Sequence, residues 1–233
     1  MSLKRLIVAI DGPAGSGKSS GAKLLARVLA VPYIDTGALY RTVTLKAMRE
    51  KVPFDDVKRL VQIAKTIKIE FRDVGARHAV PLPTQKIFMD GRDVSKAIRT
   101  PELTNNVFYV AREPRIRRVM VKKQRELGRR SGAVMEGRDI GTKVFPDADF
   151  KFFLVASPRV RARRRYKELI AAGKKATLAE VLKDIRIRDR HDRTRKEGPL
   201  RKAKDAYRLD TSSLTIQEQV DRILDVIHRA DRV

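Results

Sequence analysis

The chain contains no cysteine and no tryptophan. Without cysteine there is no disulfide and no thiolate-ligated zinc, and nothing points to an oxidising compartment. Its histidines, His78, His191 and His228, have no metal-binding spacing and are assigned no chemistry. Long apolar runs are also missing, which excludes a transmembrane segment. The first apolar stretch is broken at once by Asp11 and Gly12, unlike a secretory leader. A cytoplasmic chain with no membrane partner is expected. Aromatics make up 6% of the residues, and the basic helices carry only Tyr166, which argues against a stacking platform for single strands. Acidic residues are scarce: 28 against 53 Lys and Arg, for a net charge of +25, so the expected partners are anions.

What remains is 233 residues with 42% hydrophobic content, enough for a full core in one domain or in one domain with inserted lobes. The most informative stretch is Gly12-Pro13-Ala14-Gly15-Ser16-Gly17-Lys18-Ser19. It fits G-x-x-x-x-G-K-[ST], a loop whose backbone N–H groups converge on phosphate oxygens. It also stands between a strand-like run, Leu6 to Ile10, and a segment from Ser20 to Ala30 with Leu24, Leu25, Val28 and Leu29 at helical spacing. In such a loop the lysine bridges the outer phosphates, the hydroxyl of Ser19 holds Mg²⁺, and the helix N-terminus adds partial positive charge. The chain is therefore expected to bind a nucleoside triphosphate.

Five segments read as core strands: Arg5 to Ile10, Pro32 to Ile34, Gly132 to Met135, Phe150 to Val155 and Ala206 to Leu209. Helical patterns separate them, which predicts a parallel sheet covered by helices. Thr177 with Glu180 and Thr215 with Glu218 are capping-box patterns, and Gly173 is a helix stop. Between Lys65 and Val94 the period changes to two. Ile67 to Phe71 alternates, Pro81 and Pro83 exclude a helix, and Ile87-Phe88-Met89 runs into Asp90-Gly91, a hairpin dipeptide. The expected fold is α/β: a three-layer phosphate-loop fold with a five-stranded parallel sheet flanked by helices, a small antiparallel β insert and a short lid. Residues 1–36, 108–157 and 177–233 form the expected core, 37–107 an inserted lobe, and 158–176 the lid.

Several further stretches carry the function. Tyr33 to Arg41 follows the second strand, and Asp90 to Ser95 with Ala97-Ile98-Arg99 closes the insert. Met135 to Thr142 and Val144 to Ala148 follow the third strand, and Arg188 to Arg193 lies in a basic helix. Together with the phosphate loop, these resemble the bacterial cytidylate kinase family over nearly the whole chain. That resemblance implies ATP-dependent phosphorylation of CMP and dCMP, with UMP disfavoured, by a monomer using Mg²⁺. Lys18, Arg138, Arg188 and Arg195 would be catalytic. Gly12 to Ser19, Ser20 and the lid arginines Arg161, Arg164 and Arg165 would bind ATP. Thr36, Tyr40, Arg41, Arg117, Asp139, Arg188 and Asp192 would bind CMP, which would lie between the core and the inserted lobe. Ser19 would hold the metal, with Asp35 a further candidate near it, since the fourth strand ends without a carboxylate.

The residue chemistry agrees with that resemblance. A monophosphate acceptor is a dianion near neutral pH, because its second pKa is about 6, and needs no general base. The reaction needs alignment and charge neutralisation, which arginine forks supply. A carboxylate such as Asp139 accepts from the exocyclic amine of cytosine and not from the carbonyl of uracil. One departure stands out: the family's usual serine before the base-reading arginine is Phe108 here, which leaves Thr104, Asn105 or Asn106 to donate. Two readings compete with the family role. One is a kinase of the same architecture for another monophosphate such as UMP. The other is a nucleic-acid-binding ATPase, with nucleic acid held by the basic surface. Arg188 and Asp192 also read as a plain surface ion pair at i,i+4, and Asp139 as a helix cap.

Overall fold

The structure is a computed structural model and describes residues 6–74 and 84–230. In chain order the elements are β1 (Ile7–Asp11), α1 (Lys18–Val28), β2 (Tyr33–Asp35), α2 (Thr36–Arg49), α3 (Val57–Thr66), β3 (Ile69–Val74), β4 (Thr84–Met89) and β5 (Arg92–Asp93). A 3-10 turn at Ala97–Arg99 leads to α4 (Pro101–Arg112), α5 (Pro114–Ser131) and β6 (Ala133–Gly137). A π-helical turn at Ile140–Val144 precedes β7 (Phe150–Val155), α6 (Pro158–Ala171), α7 (Leu178–Thr194), β8 (Tyr207–Asp210) and α8 (Ile216–Ala230).

The five expected core strands are present, with ends displaced by a residue or two, and they lie in the order β2-β6-β1-β7-β8. β1 is central. It pairs in parallel with β6, Ile7 opposite Ala133 through Asp11 opposite Gly137, and with β7, Val8 opposite Phe150 through Asp11 opposite Phe153. All five residues of β1 are buried, as a strand covered on both faces requires, so its sequence is continuously apolar until the functional end. The chain leaves β1 for α1 and returns as β2 on the far side of β6. The loop after β1 therefore sits where the strand order reverses, the usual place for a ligand crevice in an open α/β sheet.

The chain divides into two compact units, Met1–Tyr33 with Ser131–Val233, and Ile34–Arg130. The core of the first is built on Val8, Ile10, Leu25, Phe152, Leu154, Val220 and Ile223, which packs α1 and α8 on the sheet. Within it α6 and α7 form a hairpin around Ala162, Val181 and Ile185. Gly173, at φ 70°, ends α6 as expected, with its N–H donating to the Ile170 carbonyl. Both capping boxes form: Thr177 with Glu180, and Thr215 with Glu218.

The second unit has its own core, including Leu39, Val43, Leu60, Ile87, Ile98, Leu103, Ile116 and Met120. It contains the small antiparallel sheet β3-β4-β5, with Asp90 and Gly91 at φ 49° and 82° in the hairpin turn. Pro81 and Pro83 lie outside the described residues. This unit reaches Arg130, beyond the 37–107 expected for the lobe, because Val110, Ile116 and Met120 of α4 and α5 are buried in its core.

Gly12 joins β1 to the phosphate loop at φ 153°. A Cβ there would stand 2.1 Å from the Leu154 carbonyl oxygen of β7. That atom belongs to the sheet backbone and cannot yield without disturbing the β1–β7 ladder. Gly12→Ala is expected to lower the unfolding free energy by about 2–4 kcal/mol, from strain and overpacking together. A urea melt showing a midpoint within error of wild type would contradict this.

Candidate active site

A phosphate loop binds anions only if its N–H groups point inward, so its carbonyls must be satisfied elsewhere. In this chain side chains meet three of them. The Pro13 carbonyl accepts from the Ser16 hydroxyl at 3.0 Å and from Lys18 Nζ at 2.8 Å. The Ala14 carbonyl accepts from Arg161 Nη1 at 3.1 Å. The Ser16 carbonyl accepts from the Thr211 hydroxyl at 2.9 Å. Gly17 precedes α1 at φ 84°, and Ser19 and Ser20 stand exposed on its first turn. Gln219 of α8 packs on the other side: a Cβ on Gly21 would meet its amide nitrogen at 1.8 Å. Among the described residues that buried nitrogen has no hydrogen-bond partner.

Arg161, expected to touch ATP, is 2% exposed and its donors are occupied. Its fork grips Asp189 of α7 through Nη1 at 2.9 Å and Nη2 at 2.6 Å, and its Nε donates to the Ala156 carbonyl at 2.9 Å. It braces the loop from behind. Arg164 donates to the hydroxyl and carbonyl of Thr211, the residue that holds the Ser16 carbonyl. Arg165 is exposed and paired with Glu168 at 2.9 Å.

Beside Lys18 the first unit gathers five further residues expected in the site. Arg138 Nε donates to Asp192 at 2.6 Å, and Arg195 Nη2 to Asp139 at 3.2 Å. Both pairs are largely withdrawn from solvent. The i,i+4 surface-pair reading of Asp192 gives way to a partner from a different element. Asp139 likewise makes no side-chain cap bond to the turn that follows it. Its partner is the arginine just after α7. Arg188, four residues before Asp192, contributes with Arg138 and Arg195 to holding the Asp192 carboxyl below the usual carboxylate range against burial. Burial pushes the Lys18 ammonium down to about 7; Arg138 adds to this, and Glu136 and Asp192 oppose it.

Two carboxylates here escaped the sequence reading. Asp11, the last residue of β1, accepts from the N–H groups of Ile140 at 2.9 Å and Gly141 at 2.8 Å. It ties the turn after Arg138-Asp139 to the strand that feeds the loop, and burial raises its pKa to about 6. Glu136, in β6 opposite Ile10, is buried and accepts from the Tyr33 hydroxyl. The fourth strand ends without an acid, and the third carries one in Glu136. Adjacency to Gly12 and Gly137 was the available signal for both.

The remaining expected residues lie in the second unit. Thr36 opens α2 and is buried. Asp35 caps that helix, accepting from Ala38 N–H at 3.0 Å, and lies 3.6 Å from Arg99. Arg41 Nη1 donates to the Thr104 hydroxyl at 2.9 Å and to the Ile98 carbonyl at 3.2 Å, so Thr104 is engaged there. Asn106 donates to the Glu102 carbonyl at 3.1 Å. Arg117 is 3% exposed, lies over the Tyr40 ring at 5.3 Å and donates to the Ala111 carbonyl. Phe108 is half-buried, edge-on to Tyr109.

A parallel sheet with reversed strand order, a braced phosphate loop and clustered arginines define a phosphate-loop protein of α/β architecture. A family model described as cytidylate kinase matches residues 8–229. Curated cytidylate kinases of Bacillus cereus and Bacillus thuringiensis are each 46% identical over 224 residues, covering 96% of this chain and of theirs. The chain belongs to the cytidylate kinase family. Among solved structures, an uncharacterized protein from Eubacterium ventriosum shares the fold at a TM-score of 0.52 and 14% identity, over 97% of this chain and 99% of that one. Among the described residues no helix is long and apolar enough to cross a membrane.

Removing one member of a buried, hydrogen-bonded ion pair leaves the other charge stranded. Asp189→Ala is expected to cost about 3–5 kcal/mol in urea unfolding, and the double change with Arg161→Met to recover part of that loss. A single variant as stable as wild type would remove the brace.

Proposed function

We propose that this protein transfers the terminal phosphoryl group of ATP to CMP, and also to dCMP, giving ADP and the corresponding diphosphate. The observation that carries this reading is one environment in the first unit. A phosphate loop with its carbonyls tied back holds Lys18 close in charge coupling to Arg138, Arg188 and Asp192. The Bacillus relatives are named cytidylate kinases.

In this reading the loop from Gly12 to Ser20 holds the donor phosphates, and Lys18 follows the migrating group. Arg138, Arg188 and Arg195 neutralise the two phosphates that must approach each other. Asp192 and Asp139 hold the guanidinium forks of Arg138 and Arg195 in place beforehand, so little rotamer entropy is lost on binding. Asp192 is placed for sugar hydroxyls. Asp139, steadied by Arg195, accepts from the cytosine amine; in the second unit, Arg117 and Tyr40 serve the base. Arg41 and Thr36 serve the acceptor phosphate. No base is required, since the acceptor is already a dianion.

The donor set fits Mg²⁺. The ion prefers few protein ligands plus phosphate oxygens and water. Ser19 offers an exposed hydroxyl at the loop, and Glu136 is the nearby carboxylate able to hold a bound water. When bound, Mg²⁺ supplies charge neutralisation at the donor phosphates. Asp35 is occupied as a helix cap and is not used. The segment 158–176 acts as the lid that excludes water. Its first turns are anchored by Arg161 and Arg164, so Arg161 positions the loop rather than touching ATP, and the mobile cations begin near Arg165. One chain carries every residue named, so a monomer suffices.

ADP release from Mg-ATP, measured with CMP, dCMP, UMP, AMP and no acceptor, tests the reading. Turnover with CMP and dCMP and near-background rates with the others is the expected result; equal rates with UMP would remove the role of Asp139. Nucleotide phosphates also favour the charged form of Lys18, whose pKa in the free protein lies near 7. At pH 8, Mg-ATP binding should therefore take up roughly one proton, seen by calorimetry in buffers of different ionisation enthalpy, and Lys18→Met should abolish the uptake.

A further inference from the structure

We propose that α5, with the end of α4, forms a binding surface for single-stranded nucleic acid that is separate from the nucleotide chemistry. Helix α5 carries eight Lys and Arg and one Glu. At 100° per residue, Arg115, Arg118, Lys122, Arg125 and Arg129 fall within an arc of about 80° and a rise of about 21 Å. Arg115, Arg118, Lys122 and Arg129 are exposed and Arg125 is half-buried. The opposite face carries Ile116, Met120 and Gly128 into the core of the second unit. None of the five belongs to the set that handles ATP or CMP. Acidic neighbours are few: Glu113 pairs with Arg115 at 3.0 Å, and Glu126 borders the stripe.

Such a row of like charges repels itself and is matched by a polyanion. The stripe presents no apolar residue, so it lacks the hydrophobic face that a membrane-surface helix inserts. At its N-terminal end stands an aromatic group that the sequence pattern does not reveal. Phe54, from the segment after α2, stacks on Tyr109 of α4 at 5.4 Å between centroids and 13° between planes. Phe108 meets Tyr109 edge-on at 5.9 Å. The Arg112 guanidinium lies over both α4 rings, at 4.9 Å from Phe108 and 5.3 Å from Tyr109. Tyr109 remains 42% exposed, a large aromatic left in water within a basic region. Cations in a row beside an accessible ring and guanidinium match the needs of an unpaired strand, whose phosphates line up while its bases stack.

The test is binding of labelled oligouridylate of about twenty nucleotides to the full chain, titrated in KCl and compared with oligodeoxythymidylate, a duplex of equal length and phosphatidylglycerol vesicles. The four exposed cations, each neutralising one phosphate, predict a slope of log Kobs on log salt of about −2.8 for a single strand. The double variant Arg118→Gln with Lys122→Gln should bring the slope to about −1.4 without changing kcat or KM for CMP. Tyr109→Ala should weaken the single strand about tenfold and leave duplex binding unchanged. Equal preference for ribose and deoxyribose strands supports a phosphate-and-stacking surface. A slope unaltered by the double variant, tighter binding to duplex than to single strands, or binding to vesicles alone would overturn the proposal.

Discussion

The outward anchoring of the phosphate-loop carbonyls is the constraint on which the rest of this structure depends. A loop of successive N–H donors aimed at one point leaves its carbonyls pointing away, and each needs a partner. Those partners come from inside the loop, from the first turn of α6 and from the residue after β8. The α6–α7 hairpin and the β8 edge are thus fastened to the loop. Arg161 makes this concrete: one guanidinium joins the loop, the end of β7 and Asp189 of α7. Buried ion pairs rarely add much net stability over apolar packing. This one serves to fix position.

The same economy governs the charged residues around Lys18. A site that brings phosphate groups together must concentrate cations, and a folded protein must tolerate them when no phosphate is bound. Arg138 and Arg195 each rest on an aspartate, and Lys18 is pushed towards neutrality by burial. The free protein thus holds its cations in compensated form, and a bound phosphate exchanges one set of anions for another. Asp11 belongs to this balance: its carboxylate sits close to the anion site yet is satisfied by two backbone N–H groups.

The net charge of +25 exceeds what such a site consumes. Part of the surplus sits on α5, whose stripe of exposed cations faces away from its own core. The ring pair beside it depends on Phe54 meeting Tyr109 across more than fifty intervening residues. That juxtaposition is why the scarcity of aromatics within the basic helices says little about stacking on the folded surface.

Much was legible in the sequence because it depends on neighbours along the chain. The phosphate loop, the five core strands implied by alternating strands and helices, the Asp90-Gly91 turn, both capping boxes and the Gly173 stop are all local, set by backbone conformation, short hydrogen bonds and hydrophobic period. Resemblance added a set of expected site residues, of which Arg138, Arg188 and Asp192 lie close enough to Lys18 to act on its charge. Tertiary structure alone decided which charge meets which. Asp192 reads as half of a surface pair within its own helix and is held by Arg138 of another element; Asp139 could cap a turn and meets Arg195. Arg161 looked like a ligand for phosphate and is spent on Asp189 and the loop. Glu136 and Thr211 carried no pattern at all, since their partners lie 103 and 195 residues away. Residue spacing determines what a side chain can offer, but its partner is settled only when distant strands and helices close around it.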